Sequence, residues 1–295
     1  MDTELLAEAV VNRRAVLFVG AGVSMSVGLP SWREFIRHVA SELGLSPDDP
    51  IVAESSHHTL AEYYRIKNGS IGPLRSWMDR NWKVSEENIR KSEVHRLIVE
   101  LQFPIIYTTN FDRNLETAYE VFGRPYAKIA NVRDLPRADT GVTQIVKFHG
   151  DFEDDESLVL TETDYFDRLN FESPLDIKFR ADTLGKPILF IGYSLSDLNI
   201  RFLLHRLWRT WRLSGYERER PMAFVCLASA NPVQEAVLRQ WGLKVMTPAE
   251  SETPETALVR LLSDLRRRSK ADRPSTSRTR KVRLRRHSSG SKPKR

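Results

Sequence analysis

Five short runs of apolar residues punctuate the chain: AVLFVG ending at Gly20, PIIYTTN at 104–110, QIVKFHG at 144–150, PILFIGYS at 187–194 and PMAFVCLA at 221–228. Each is continuous rather than alternating and rich in Val, Ile, Leu and Phe, the pattern of a strand buried on both faces. Amphipathic helical stretches separate most of them. This alternation predicts an α/β fold, a Rossmann-like doubly wound and mostly parallel sheet, whose ligands gather at the carboxyl ends of the strands. Between residues 32 and 101 the pattern turns helical with no convincing strand, as in WREFIRHVASELG and EVHRLIVELQ. That segment is expected to be a helical insertion, with Trp77 and Trp82 in its packing core. A helix from about Thr253 to Arg268 is expected to close the fold, and no internal repeat is present.

Charge divides the chain in two. The formal net charge is +6, yet residues 266–295 alone hold 14 Lys and Arg against one acid, net +13, which leaves −7 for residues 1–265. The expected organisation is one folded domain over 1–265 followed by a disordered basic tail over 266–295, too poor in apolar residues to offset the entropy of ordering. Such a tail suits solubility, a nuclear-import or acidic-partner contact, or non-specific contact with nucleic acid through phosphates. Its basic residues have no aromatic neighbours to stack on bases, so any such contact is expected to be blind to sequence. No apolar run reaches the roughly 18 residues that span a bilayer, and the acidic start MDTELLAEAV does not read as a secretion signal, so a cytoplasmic protein with no membrane contact is expected. The single cysteine, Cys226, sits inside the run AFVCL. It reads as a small core residue and excludes an internal disulfide or a cysteine zinc site.

Four motifs stand where predicted strands end. Gly20, Ala21, Gly22 and Ser24 form a tight turn after the first strand, where backbone N–H groups can approach a pyrophosphate. Met25 occupies the place of the third glycine of the dehydrogenase fingerprint, and Gly28-Leu29-Pro30 follows, expected to bend over a ligand. Thr108, Thr109, Asn110 and Asp112 place polar groups where a helix begins; Asn110 or Asp112 would also serve as a helix cap. His149, within Lys147-Phe148-His149-Gly150-Asp151, is a candidate proton acceptor at neutral pH. Gly192, Ser194 and Asp197 suit close contact with a ribose or adenine, with capping again the alternative for Asp197.

Taken in order, GAGVS, GLP, TTNFD, KFHGD and GYSLSD resemble the sirtuin superfamily and, within it, the bacterial sirtuin-like NAD hydrolases associated with defence against phage. The resemblance spans Arg14 to Asn231. It implies that Gly20, Ala21, Gly22 and Ser24 lie on the pyrophosphate loop, that Asn110 and Asp112 lie at the nicotinamide ribose, and that His149 is the base. Gly192 and Ser194 would fall on the adenosine side, with Asn231 a ribose contact. Protein-deacylating sirtuins carry a zinc ribbon with two C-x-x-C pairs, for which this chain has no cysteines between His149 and Gly192. Their G-I-P-x-F-R loop is here Gly28-Leu29-Pro30-Ser31-Trp32-Arg33.

The resemblance therefore implies NAD as substrate, no zinc or other metal, and hydrolysis to nicotinamide and ADP-ribose by a regulated, NAD-depleting effector. Departure of nicotinamide would leave an oxocarbenium-like ribose, as in glycoside hydrolysis. Asn110 would position, His149 would deprotonate and Asp112 would orient. Transfer of ADP-ribose to an acyl-lysine or another acceptor is the alternative reaction, and a non-catalytic sensor of NAD or ADP-ribose the alternative class. Because an unrestrained hydrolase would drain cellular NAD, control by homo-oligomer formation, a regulatory partner or the insertion acting as a lid is expected.

Overall fold

The computed structural model describes residues 2–170, 172–195 and 197–271. Seven strands build one sheet: β1 (Val16–Val19), β2 (Ile105–Thr108), β3 (Tyr126–Ile129), β4 (Thr143–Lys147), β5 (Ile188–Ile191), β6 (Ala223–Cys226) and β7 (Leu243–Met246). They lie in the order β3-β4-β2-β1-β5-β6-β7, and every neighbouring pair is parallel. The five strands expected from apolar runs are present. The expectation did not include the two outermost strands, YAKI and LKVM, whose residues are mostly half-buried or exposed and so lack a continuous apolar run.

Successive residues of each strand face opposite layers. On one face Leu17, Val19, Ile106, Ile145, Leu189, Ile191 and Phe224 pack with α1 (Asp2–Val11), α8 (Glu93–Leu101), α9 (Asn114–Val121) and α14 (Pro254–Ala271). On the other, Val16, Phe18, Tyr107, Val146, Phe190 and Val225 meet α11 (Pro174–Leu184), α12 (Leu198–Ser214) and α13 (Pro232–Gln240). Both faces covered by helices is the doubly wound arrangement.

Between β1 and β2 run α2 (Ala21–Met25), α3 (Trp32–Glu42), α4 (Pro50–Glu54), α5 (His57–Asn68), α6 (Gly72–Asn81), α7 (Glu86–Lys91) and α8. Phe35, Val39, Leu60, Tyr64, Met78 and Trp82 form their own core, with Trp77 packed against it. The helical segment thus has a core separate from the sheet, but only as far as Trp82. Ile89, Val94, Leu97, Ile98 and Leu101 belong to the core under the sheet, because α8 buries its apolar face against α14 and the strands. Helix α14 continues to Ala271, so the first residues of the basic stretch are helical, with Arg266 paired to Glu100 at 2.6 Å. The rest of the tail expected over 266–295 lies outside the described residues.

A buried ion pair fastens the sheet to the loop after β2. Lys147, at the end of β4, and Glu116, on α9, are both fully buried and 3.4 Å apart. The Lys147 ammonium also donates to the carbonyls of Phe111 and Asp112. Burial raises the Glu116 carboxyl above its ordinary value, an effect that Lys147 opposes. Removing one partner strands the other charge, which costs about 3–5 kcal/mol, whereas replacing both by apolar groups is often nearly neutral. Lys147→Met is therefore expected to lose about 3–5 kcal/mol in urea unfolding, and Lys147→Met/Glu116→Leu to regain much of it.

Candidate functional site at the carboxyl edge of the sheet

Strand order reverses at β1, whose chain leaves toward β2 on one side while β5 lies on the other. At this switch point the turn after β1 rests on the turn after β5. Gly20 N–H donates to Ile191 O at 2.9 Å, and Gly22 N–H donates to Gly192 O at 2.8 Å. A Cβ on Gly20 would stand 2.4 Å from Gly192 O, and Gly192 has φ +59°. These glycines are thus demanded by backbone-on-backbone packing. The amides of Gly20, Gly22 and Val23 all donate within the protein, which narrows the phosphate cradle expected there to the start of α2 around Ala21 and to Ser24.

Ser24, buried in α2, is the link to the next strand. Its hydroxyl accepts from Asn110 Nδ2 at 3.1 Å, while the Asn110 amide donates to Thr108 Oγ1 at 3.0 Å. Thr108 and Lys147 are register partners in β2 and β4, and Phe148 N–H continues the ladder to Thr108 O at 2.7 Å. Asn110 and His149 therefore lie two residues beyond the same rung, in the segments that leave the neighbouring strands β2 and β4.

His149 is 3% exposed. Its Nδ1 lies 3.4 Å from the Tyr165 hydroxyl, and its Nε2 lies 3.6 Å from Asp197 Oδ2 with no hydrogen-bond partner. The Tyr165 hydroxyl donates to Asp197 Oδ2 at 3.1 Å. Asp197 also caps α12, its Oδ1 accepting from the amides of Asn199 and Ile200. Over Tyr165, which lies on α10 (Glu162–Asp167), sits the His58 ring at 3.5 Å, with His57 beside it at 3.9 Å. Helix α5 thus covers the histidine end of the site. Arg168 donates to Phe148 O, stacks on the Phe148 ring at 4.3 Å and pairs with Asp176, fixing the approach to His149. Burial pushes His149 down to about 3, against the pull of Asp197, and pushes His57 down to about 4; His58 is lowered for the same reason. All three imidazoles are neutral at pH 7.

The remaining expected residues fall at the same edge with differing surroundings. Asp112 is buried, and its Oδ1 accepts from the amide of Asn114 at 3.0 Å, a local turn at the entry to α9 rather than the helix cap that was its alternative, since Arg113 holds the cap position. Thr109 is half-buried beside Asn110, and half-buried Pro30 precedes the Ser31 cap of α3. Ser194 is exposed, and its carbonyl accepts from Gln234 at 2.6 Å; Asn231 caps α13 through the amide of that same Gln234. Ser194 and Asn231 are thereby drawn together beyond β5 and β6. A cavity lined by Ile188, Ala223 and Leu243 opens at the amino ends of β5, β6 and β7, the end opposite all of these residues. Sequence reading missed Tyr165, His57 and His58. The paired histidines at the start of α5 were the available signal, but α5 is separated from His149 by some ninety residues and ends no strand. Among the described residues no group of three or more His, Cys, Asp and Glu is gathered as a metal site, and Cys226 is buried in β6 with its thiol pushed up to about 11.

This geometry defines a Rossmann-like α/β protein with a polar site at the switch point of its sheet. Residues 104–246 match the family model of the SIR2-like domain. The chain is 34% identical over 230 residues to the NAD(+) hydrolase ThsA of Enterococcus faecium, an alignment covering 75% of this chain and 45% of that protein. It is 32% identical over 220 residues to the protein of the same name from Bacillus cereus (strain MSX-D12), covering 72% and 42%. Against the defense-associated sirtuin 2 of Bacillus subtilis the identity is 29% over 256 residues, covering 83% and 24%. The chain belongs to the SIR2-like family, and it spans less than half the length of these relatives.

The depressed imidazoles fix the sign of a pH effect. An unfolded histidine takes up its proton near pH 6.5, whereas folded His57 and His149 refuse it until about pH 4 and 3. Between those values the unfolded chain binds more protons, so stability is full above pH 6.5 and falls as pH drops toward 3, by up to about 1.4 kcal/mol per pH unit for each group. Melting temperature followed from pH 7 to pH 4 is expected to fall, and less steeply in His57→Gln and His149→Gln.

Proposed function

We propose that this domain is an NAD glycohydrolase, which cleaves the bond between nicotinamide and ribose and passes ADP-ribose to water. The observation that carries the proposal is the Asn110–Ser24 hydrogen bond, which joins the glycine turn to the TTNFD segment one strand away from His149. The names of the ThsA relatives support the substrate. The start of α2 suits an anion such as the pyrophosphate. Gly192, Ser194 and Asn231 lie on the far side of the glycine turn from Asn110, where an adenosine end would extend, whereas Asp197, expected with them, turns its carboxylate to Tyr165 and His149 instead.

Nicotinamide leaves as a neutral molecule from a cationic nucleoside, so the bond needs no strong acid. As the C1′–N bond breaks, positive charge develops on the ribose. Asn110 holds the ribose and a water against the exposed face. The water oxygen bonds to C1′, and its proton passes to neutral His149. Asp112, through its bond to the Asn114 amide, keeps the Asn110 loop in place rather than touching the ribose. His149 is covered by Tyr165 and by His58 of α5, so the helical segment acts as a lid that must part before NAD reaches the imidazole.

The setting we propose is a regulated, NAD-depleting effector of phage defence working in the cytoplasm, as a homo-oligomer or under a regulatory partner, with the basic tail as a non-specific contact for nucleic acid. No helix among the described residues is long and apolar enough to cross a membrane. Incubation of the protein with NAD followed by chromatography and mass spectrometry is expected to yield nicotinamide and free ADP-ribose. A modified protein or an acylated ribose would instead mark a transferase, and saturable binding with intact NAD a sensor. Since a misplacement of about 1 Å costs about 100-fold in rate, Asn110→Ala and His149→Ala are each expected to slow nicotinamide release at least that much. Release at the parental rate by either variant would overturn the assignment.

A further inference from the structure

Resting on His149 as the proton acceptor, we propose that Tyr165 and Asp197 are positioning residues that hold the His149 proton on Nδ1 and so present Nε2 as a lone pair to the substrate. The argument is one of hydrogen-bond direction. The Tyr165 hydroxyl has one proton, and its shortest contact is the carboxylate oxygen Asp197 Oδ2 at 3.1 Å. A carboxylate only accepts, so that proton is committed, and the Tyr165 oxygen can then only accept from His149 Nδ1, 3.4 Å away. The opposite tautomer would aim a proton from Nε2 at Asp197 across 3.6 Å, too long for a hydrogen bond. Nε2 has no partner in the structure and is buried.

The arrangement is held from both ends. Asp197 cannot turn, because its Oδ1 is tied to the first amides of α12. With the lid closed, Tyr165 packs against the face of His58, whose Nδ1 lies 2.9 Å from Leu160 O. When the attacking water gives up its proton, the O–H bond breaks and an Nε2–H bond forms. The resulting imidazolium keeps its Nδ1–H on Tyr165, and its charge faces the Asp197 carboxylate. This is the role a buried carboxylate plays beside a catalytic imidazole, relayed here through a phenol.

Exchanging the carboxylate for a carboxamide tests the polarity of this chain. In Asp197→Asn the capping position still requires an oxygen, so the cap survives and the NH2 group takes the place of Oδ2. The NH2 then donates to the Tyr165 oxygen, whose proton turns toward Nδ1 and drives the His149 proton to Nε2. Long-range 15N–1H spectra of the full chain labelled in histidine, with His149 identified by loss of its signals in His149→Gln, read the tautomer directly. The expected result is Nδ1–H in the parental protein, Nε2–H in Asp197→Asn, and a mixture in Tyr165→Phe, which keeps the ring against His58. Nicotinamide release is expected to fall at least about 100-fold in Asp197→Asn and to fall also in Tyr165→Phe. An Nε2–H tautomer in the parental protein, or one unchanged by Asp197→Asn, would refute the proposal. Absence of nicotinamide release from the parental protein would refute the hydrolase reading alone, because the tautomer is read without turnover.

Discussion

The site exists because two turns touch through bare backbone. Where the chain leaves β1 it lies on the chain leaving β5, at a distance that admits no side chain on Gly20 and almost none on Gly22. That contact fixes the direction in which α2 starts, and α2 carries Ser24 across to Asn110. A doubly wound sheet offers a crevice wherever its strand order reverses. Here the two glycine turns bring bare main chain to that point, and Ser24 links it to Asn110 at the exit of β2.

The layout follows from what a parallel sheet does to polar groups. Strands covered on both faces have no room for them, so chemistry is displaced to the carboxyl ends. Lys147 is the instructive exception. It is the last residue of β4 and fully buried, yet its ammonium is shared among Glu116 and the carbonyls of Phe111 and Asp112. A charge in the core is tolerated when it is paired and hydrogen-bonded, and this one also sets the loop that presents Asn110.

The architecture was legible where burial was complete. VLFV, IIYT and ILFI could be read as central strands because every residue in them is buried. YAKI and LKVM could not, because an edge strand with one covered side mixes lysine with apolar residues and has no period to detect. Helix α8 was assigned with the helical segment because a helical pattern does not reveal which core it faces. At this edge the motifs mark residues at strand ends, whereas Tyr165, His57 and His58 carry no such mark. They reach His149 only through the packing of α5 and α10 over the sheet edge, a tertiary relation with no local signature. The glycine turn reads as an anion cradle from its place directly after a buried strand, whereas its amides at Gly20, Gly22 and Val23 already have acceptors, a tertiary fact with no mark in the sequence.

The two outer strands carry a consequence for assembly. Each margin of the sheet contains a lysine, Lys128 in β3 and Lys244 in β7, and Lys128 is bound to Asp151 and Glu153. A lysine on an edge strand is one of the devices that keep sheets from growing end to end, and here both margins of the seven-stranded sheet carry one.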